Sequence, residues 1–299
     1  MEFDEGAQQN WLSPQNSYIY FMSDERKVVL VLLSIALFIL ILHRPKPIEE
    51  INKATQLVLK TEKIYVENVD DILHIDSVLV KPVLYDHVYF LDALPYKQAK
   101  EEFINVMLPA ILIVKWQLNQ DLKRLEEIMK EGIQDQGDSM LVANWAEEFK
   151  TDDLATLKRR LLTHPNSIVL AQAAVESGWG KSRFFMEANN VFGVWSFDSD
   201  EPRIPASISR EEYQVYLRKY DNIAESVMDY FKTIARVPAY TNFRRKRAET
   251  QNIRELLPYL DRYSERGDEY VAQLLGMIRY NNFQQYDKYQ IDPAYVVKK

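Results

Sequence analysis

The chain has 299 residues, of which 47% are apolar and 27% charged, and its formal net charge is −7. These values are ordinary for a folded protein of one large or two small domains. The acidic balance argues against nucleic acid as a partner, since phosphate binding needs a concentrated basic surface. The absence of cysteine excludes disulfides and thiol catalysis, and the four histidines lack the spacing of a zinc site (His43, His74, His87 and His164).

An uncharged run of fifteen residues, VVLVLLSIALFILIL, spans Val28–Leu42. It is short for a membrane-spanning helix of about 20 residues, but basic side chains at both ends can reach the lipid headgroups. A buried core helix is one alternative, although such a helix usually shows a polar stripe. A cleaved signal peptide is another, although the exit HRPKPIEE lacks a small-residue cleavage site. We therefore predict an N-terminal tail at 1–27 and an uncleaved transmembrane signal anchor at 28–44.

Residues 45–138 are predicted to form an N-terminal accessory region of helical and mixed structure. The stretch 64–90 is rich in Val, Ile and Tyr, which indicates short strands. A long helix is predicted over 95–133, and Pro109 inside it should kink or break it. The polar segment QDQGDS at 134–139 is a turn signal that ends the region.

An alanine-rich helix is predicted from Ile168 to Ser177, and Gly178 and Gly180 end it. Glu176 therefore lies in its last turn, where the partial negative charge of the helix C-terminus disfavours a carboxylate. Aromatic residues that can exclude water follow closely (Trp179, Phe184, Phe185, Phe192 and Trp195). Both effects should raise the pKa of Glu176, as a glycosidase general acid requires near neutral pH. On spacing alone, an ordinary surface glutamate near a helix end is the alternative.

The run AQAAVESGWGKSRF, followed by NNVFGVW, resembles glycoside hydrolase family 73, the cell-wall N-acetylglucosaminidases. That family typically shows A-Q-A-x-x-E-S-G-W-G-x-S and then N-x-F-G. The helix FINVMLPAILIVKWQLNQDLKRL and the C-terminal run LLPYLDRYSERGDEYVAQLLGMIRYNNFQQYD are similar to those of the Bax-like members. The resemblance covers roughly residues 95–290.

The resemblance implies a mainly α (α+β) fold, with a lysozyme-like helical catalytic domain at 139–290, a small β-hairpin lobe and a C-terminal tail at 291–299. It implies a glycoside hydrolase, an endo-β-N-acetylglucosaminidase, that cleaves the β-1,4 bond between N-acetylglucosamine and N-acetylmuramic acid in peptidoglycan. Glu176 falls on the catalytic glutamate of the family, and Asn190 and Phe192 fall on its N-x-F-G turn. No cofactor and no metal are implied.

A glycosidase usually needs a second carboxylate. In many family members it lies in a Thr-x-Glu-Tyr-like segment of the hairpin, and Glu212 with Tyr213 is the nearest match here, although the threonine is missing. Glu211 is the next candidate, followed by three acidic residues before the hairpin (Asp198, Asp200 and Glu201). Alternatively, the acetamido group of the substrate acts as the nucleophile, and no second carboxylate is needed.

Sugars present apolar C–H faces and ring hydroxyls, which suit aromatic and polar side chains. The candidates for substrate binding are Trp179, Asn190, Phe192, Trp195, Tyr213 and Tyr240. Tyr240 lies in a Pro-Ala-Tyr segment that resembles the Pro-x-Tyr of the family. Tyr263–Gly267 is predicted to be structural. The basic run Arg244–Arg247 is predicted to be a solvated helix face, with a groove for an anionic polymer as the alternative.

Together these features predict a single-pass protein of the bacterial inner membrane, anchored through 28–44, whose catalytic domain acts on peptidoglycan glycan strands in the periplasm. The sequence names no protein partner. Two alternatives remain for the function. One is a lytic transglycosylase, which also uses a Glu-Ser pair on a helix. The other is a non-catalytic wall-binding or scaffold module.

Overall fold

The computed structural model describes residues 57–206 and 214–298, and Leu57–Lys299 forms one compact unit. Within the described residues the fold is α+β and mainly helical, as predicted. The predicted tail 1–27 and the predicted signal anchor 28–44 lie outside those residues, so the anchor stays a prediction. In the part that the structure describes, no helix is both long enough and apolar enough to cross a membrane.

The secondary structure of the described part is as follows. The α-helices are α1 (Tyr96–Glu131), α2 (Gln136–Phe149), α3 (Leu154–Leu161), α4 (Asn166–Ser177), α5 (Arg183–Ala188), α6 (Ile223–Arg236), α7 (Thr241–Arg247), α8 (Ile253–Leu256) and α9 (Asp268–Tyr280). The strands are β1 (Leu57–Leu59), β2 (Glu62–Tyr65), β3 (Leu79–Val80), β4 (Val83–Asp86), β5 (Trp195–Ser196), β6 (Arg203–Pro205), β7 (Tyr216–Arg218), β8 (Gln290–Ile291) and β9 (Val296–Lys298). Short 3₁₀ helices lie at Val69–Asp71, Pro238–Tyr240, Leu257–Tyr263, Phe283–Lys288 and Pro293–Tyr295.

Helix α1 runs through the core of the unit. Every residue from Val106 to Val114 is buried, and the helix contacts α3, α4 and α6 as well as β4 and β8. Pro109, predicted to kink or break this helix, does not break it. A proline inside a helix costs about 3 kcal/mol, but each large apolar side chain buried around it contributes about 1.5–3 kcal/mol. Packing therefore outweighs the local defect.

Two strand pairs join the beginning of the unit to its end. Strand β1 pairs antiparallel with β9, so that Val58 lies opposite Val297, and β3 pairs parallel with β8. Residues 291–299 are predicted as a tail, but up to Lys298 they are tied into the fold, because valines on both strands suit a half-buried ladder. Residues 57–138, predicted as an accessory region, likewise pack into the same compact unit as the rest.

A small antiparallel sheet of three strands, in the order β5-β7-β6, stands where a two-stranded hairpin is predicted. We call this sheet and its connections the lobe. Asp229 on α6 attaches it to the helices: it accepts hydrogen bonds from Arg218 Nη1 and from the Tyr220 hydroxyl, each at 2.8 Å. Arg236 Nη2 donates to the other carboxylate oxygen at 3.3 Å. The buried carboxylate of Asp229 therefore fixes the lobe against α6.

The N-terminus of α4 is capped from the other end of the chain. Asp287 accepts hydrogen bonds from the Ser167 backbone N–H at 2.7 Å and from the Ser167 hydroxyl at 2.9 Å. Lys115 of α1 donates to the carbonyl of His164 at 2.9 Å and to Asn166 Oδ1 at 2.6 Å. Helix α4 is thus held at its start by α1 and by the 3₁₀ helix near the C-terminus.

Replacing this cap should destabilise the whole unit. We expect Asp287→Ala to lower the free energy of unfolding by about 1–2 kcal/mol, because it removes a capping acceptor from α4. Urea denaturation of the full-length protein measures the effect. Asp292→Ala is the matched control, since Asp292 caps only an exposed 3₁₀ turn through the N–H of Ala294 at 2.9 Å, and its effect should be smaller. Equal midpoints for Asp287→Ala and the wild type would contradict the importance of this cap.

Candidate active site

The end of α4 is shaped by the Ser-Gly-Trp-Gly sequence that follows Glu176. Gly178 adopts the left-handed conformation (φ 59°) that ends the helix. The Ser177 hydroxyl donates to a carbonyl of the previous turn at 2.6 Å and accepts from the Gly180 N–H at 2.9 Å. At Gly180 φ is 75°, and a Cβ atom there would lie 2.7 Å from Leu91 Cδ1. The turn therefore fixes where α4 stops and keeps Glu176 at its open end.

The Glu176 side chain is reached by solvent on one side and crowded by protein atoms on the other. This burial raises the pKa of Glu176, and the hydrogen bond from Tyr270 and the charge of Arg266 only partly oppose it. The Tyr270 hydroxyl donates to Glu176 Oε1 at 2.8 Å. A carboxyl group that is accessible yet holds its proton above the usual pH range has the properties of a general acid.

Tyrosines surround this carboxyl group. Burial raises the pKa of Tyr230, Tyr240, Tyr263 and Tyr270, and the negative charge of Glu176 raises each of them further. The ring of Tyr263 stacks on that of Tyr270, with centroids 5.6 Å apart, and lies 6.1 Å from the ring of Tyr240. Tyr240, a predicted substrate contact, is therefore buried in the same tyrosine cluster as the proposed acid.

Three other predicted substrate contacts face the protein interior. Phe192 stacks on Tyr230, with ring centroids 4.4 Å apart. Trp179 packs edge-on against Phe103, with centroids 5.5 Å apart. Asn190 is buried, and its side-chain amide bonds to backbone groups of the following turn and of β7 at 2.8–3.0 Å. Packing and loop closure account for these residues, and their contact with a sugar stays a prediction.

The lobe carries an exposed aromatic pair. Trp195 on β5 is 55% exposed and Phe197 is 86% exposed, with ring centroids 6.2 Å apart. Trp195 is a predicted substrate contact, whereas sequence analysis missed its partner Phe197. The exposed faces suit the apolar C–H surface of a sugar ring. Tyr213, the remaining aromatic candidate, lies outside the described residues.

The second carboxylate is not identified by the described residues. Glu212 and its neighbour Glu211 fall within residues 207–213, which the structure does not describe. Among the other candidates, Glu201 already forms an ion pair with Arg218, with 3.0 Å between Oε2 and Nε. Asp198 and Asp200 are exposed on the lobe. Glu212 therefore stays a prediction.

Two of the four basic residues of the run in α7 are buried, whereas Arg245 is exposed. Arg244 is buried, and its guanidinium donates to the carbonyls of Ile234 and Val237 at 2.9 and 2.8 Å, which closes the end of α6. Arg247 is also buried and donates to the carbonyl of Arg159 at 3.1 Å. The predicted solvated face is thus wrong for these two arginines, because carbonyl groups at the end of α6 and in the last turn of α3 need donors. Residues 57–206 and 214–298 hold no cluster of three or more potential metal ligands.

Comparison with known proteins identifies the second half of the chain. Residues 152–297 match the glucosaminidase family, described as mannosyl-glycoprotein endo-beta-N-acetylglucosaminidase. The Escherichia coli protein bax is 27% identical over 143 residues, which are 46% of this chain and 50% of that protein. Residues 152–297 therefore form a domain of the glucosaminidase family, and the predicted family resemblance is confirmed.

A second curated relative and a solved structure are also similar to parts of the chain. The Salmonella typhimurium peptidoglycan hydrolase FlgJ is 33% identical over 88 residues, 25% of this chain and 28% of that protein. The solved glycoside hydrolase domain of FlgJ is 22% identical and covers 48% of this chain and 90% of that domain, with a TM-score of 0.35. The chain spans half or less of the length of these two curated relatives.

Sequence analysis missed two groups that act on Glu176, namely Tyr270 in α9 and Arg266 just before that helix. Tyr270 lies 94 residues from Glu176 along the chain, and Arg266 belongs to a segment predicted to be structural. The one signal for them is the two tyrosines and the single arginine of the stretch Tyr263–Tyr270, YSERGDEY. Only the packing of α9 against α4 brings that stretch to the carboxyl group.

Substitution by alanine should have opposite effects on stability at Gly180, in the turn after α4, and at Gly276, inside α9. We expect Gly180→Ala to lower the free energy of unfolding by about 2 kcal/mol or more, because it combines a left-handed backbone with a clash against Leu91. Gly276→Ala, inside α9 with no atom within 4 Å of the new Cβ, should be neutral or stabilise by up to about 1 kcal/mol. Urea denaturation measures both, and equal effects would show that the turn tolerates a side chain.

Proposed function

We propose that this chain is a periplasmic peptidoglycan hydrolase that cleaves the β-1,4 bond between N-acetylglucosamine and N-acetylmuramic acid, with Glu176 as general acid. The observation that carries the proposal is the carboxyl group of Glu176, which is open to solvent although its pKa is raised by burial. Membership of the glucosaminidase family and the relation to a protein named peptidoglycan hydrolase support the substrate class.

In the proposed reaction, protonated Glu176 donates its proton to the glycosidic oxygen while the bond from that oxygen to the sugar C1 breaks. The carboxylate that results keeps the hydrogen bond from Tyr270. We assign Glu212 as the second carboxylate, which stabilises the positive charge that develops at C1 or activates a water molecule. The exposed pair Trp195 and Phe197 supports a role for the lobe in holding the glycan strand.

The decisive experiment is digestion of purified peptidoglycan by the full-length protein. We expect Glu176→Gln to lower turnover by about 10²–10⁴-fold, because an amide cannot donate the proton. Glu187→Gln is the matched control, since Glu187 is an exposed glutamate paired with Arg183 at 3.0 Å and should keep wild-type turnover. Wild-type activity should fall as pH rises through the raised pKa of Glu176, because only the protonated acid reacts.

The products of the same digestion separate the reactions. New reducing N-acetylglucosamine ends support the proposal, whereas anhydro-muramyl ends would replace it with a lytic transglycosylase. Binding to sacculi without any released fragment would make the chain a non-catalytic wall-binding module. Glu212→Gln should lower turnover and Glu211→Gln should not. The reverse result would move the second role to Glu211.

We also propose that residues 28–44 anchor the protein in the inner membrane with the hydrolase domain in the periplasm. The uncharged run Val28–Leu42 and the basic residues beside it support this arrangement. We expect the full-length protein to stay in the membrane fraction after alkaline washing, and the variant lacking residues 28–42 to become soluble, because the apolar run is lost. Removal of residues 1–20 is the control and should leave it in the membrane. A wild-type protein in the soluble fraction would contradict the anchor.

A further inference from the structure

A series of buried polar side chains runs from α7 into the core. Arg247 Nη1 donates to His164 Nδ1 over a long contact of 3.4 Å, and His164 Nε2 lies 2.8 Å from the Tyr230 hydroxyl. The Tyr230 hydroxyl donates to Gln172 Oε1 at 2.6 Å. All four side chains are at most 2% exposed. They therefore exchange hydrogen bonds with one another in place of water.

The series continues to the proposed acid. Gln172 Nε2 donates to the Tyr270 hydroxyl at 3.1 Å, and that hydroxyl donates to Glu176 Oε1 at 2.8 Å. Tyr270 is fully buried. We call the five buried side chains that end at Glu176 the relay, namely Arg247, His164, Tyr230, Gln172 and Tyr270.

The relay has one direction, and Arg247 sets it. A guanidinium can only donate, so His164 Nδ1 must accept and the imidazole proton sits on Nε2. Burial holds the pKa of His164 well below its usual value, so the ring is neutral and carries that single proton. The Tyr230 oxygen then accepts from His164, and the only hydroxyl proton of Tyr230 goes to Gln172. In the same way, the direction of the hydrogen bonds that Gln172 and Tyr270 donate is determined by the bond before each of them.

The orientation of the Gln172 amide is the step that matters for chemistry. With its oxygen bound to Tyr230, its nitrogen must face Tyr270, and the only hydroxyl proton of Tyr270 is left for Glu176. If the amide turned over, its oxygen would face Tyr270 and compete with Glu176 for that proton. The relay therefore decides whether Glu176 receives a hydrogen bond.

We infer that Arg247 and His164 are positioning residues that act through Gln172 to keep the Tyr270 hydroxyl donating to Glu176. The inference rests on the proposed role of Glu176 as the acid. Arg247 is fully buried and its hydrogen bonds within the described part go to backbone carbonyls and to His164, with no carboxylate among them. A buried cation without a carboxylate is costly, which favours a role beyond packing.

Loss of the relay should be visible at Glu176 itself. The charged and titratable groups that face it come from α9, α6, two 3₁₀ segments and the turn before α9 (Tyr270, Tyr230, Tyr240, Tyr263 and Arg266). Among these groups, within the residues that the structure describes, only Tyr270 donates a hydrogen bond to Glu176. A carboxylate that loses such a donor is less stable relative to its protonated form, so its titration moves to higher pH.

The test is to titrate Glu176 in the full-length protein by ¹³C NMR, with ¹³C-labelled glutamate. The Glu176 resonance is the one that is absent from the spectrum of Glu176→Gln. We expect Tyr270→Phe to raise the midpoint by about one pH unit and His164→Leu by about half a unit. His164→Gln can still present an amide donor to Tyr230, and its midpoint should return toward that of the wild type. Tyr85→Phe is the control, because its buried hydroxyl binds the N–H of Leu73 outside the relay.

A double substitution separates positioning from general destabilisation. In the Tyr270→Phe background, His164→Leu should cause no further shift, because the relay acts through that hydroxyl. An unchanged midpoint in His164→Leu, or an undiminished shift in the double variant, would overturn the inference. Should His164→Leu not fold, the pair Arg247→Met and Arg247→Lys gives the same test at the other end, with a shift expected only for methionine.

The titration does not need turnover, so the two proposals fail separately. If Glu176→Gln digests peptidoglycan like the wild type, the proposed function is wrong, whatever the midpoints are. If Glu176→Gln is inactive and His164→Leu titrates like the wild type, the function stands and the relay inference fails. If both proposals hold, the high-pH side of the plot of kcat against pH should shift together with the titration midpoint of Glu176 in each variant. The control Tyr85→Phe should change stability without shifting that midpoint.

Discussion

The burial of helix α4 is the constraint on which the site depends. Almost the whole helix lies in the core, and Glu176 is the residue that reaches solvent at its end. A buried helix must satisfy its polar side chains internally. Ser167 does so with Asp287, Gln172 with Tyr230 and Tyr270, and Ser177 with the turn that follows. The same bonds that make burial tolerable also fix the position of the acid.

The arrangement sets two opposing effects on one carboxyl group. Crowding by protein atoms favours the protonated form of Glu176, and the Tyr270 hydroxyl favours the carboxylate. A general acid needs both, because it must hold a proton before bond cleavage and tolerate its loss afterwards. The surrounding tyrosines keep water away from the carboxyl group without adding a charge. They stay neutral because burial raises their pKa values.

The sequence was informative where local rules decide the outcome. The end of α4, the place of Glu176 in its last turn and the long helix α1 follow from glycine chemistry and apolar spacing. Tyr270 could not be found in this way, because a contact 94 residues away depends on how α9 packs on α4. Aromatic content also failed to separate Phe192, which faces Tyr230, from Trp195, which faces solvent. Composition does not tell which side of a turn a ring will occupy.

The pairing of β1 with β9 has a consequence for the order of folding. Strand β1 is among the first parts of the unit to be synthesised, and its partner is among the last. The carboxylate that caps α4, Asp287, also comes from the final stretch. Contacts of such long sequence separation form slowly and cannot begin before the residues of β9 and Asp287 have been synthesised. The unit can therefore reach its finished state only after β9 has been synthesised, although most of α4 and its neighbours are made much earlier.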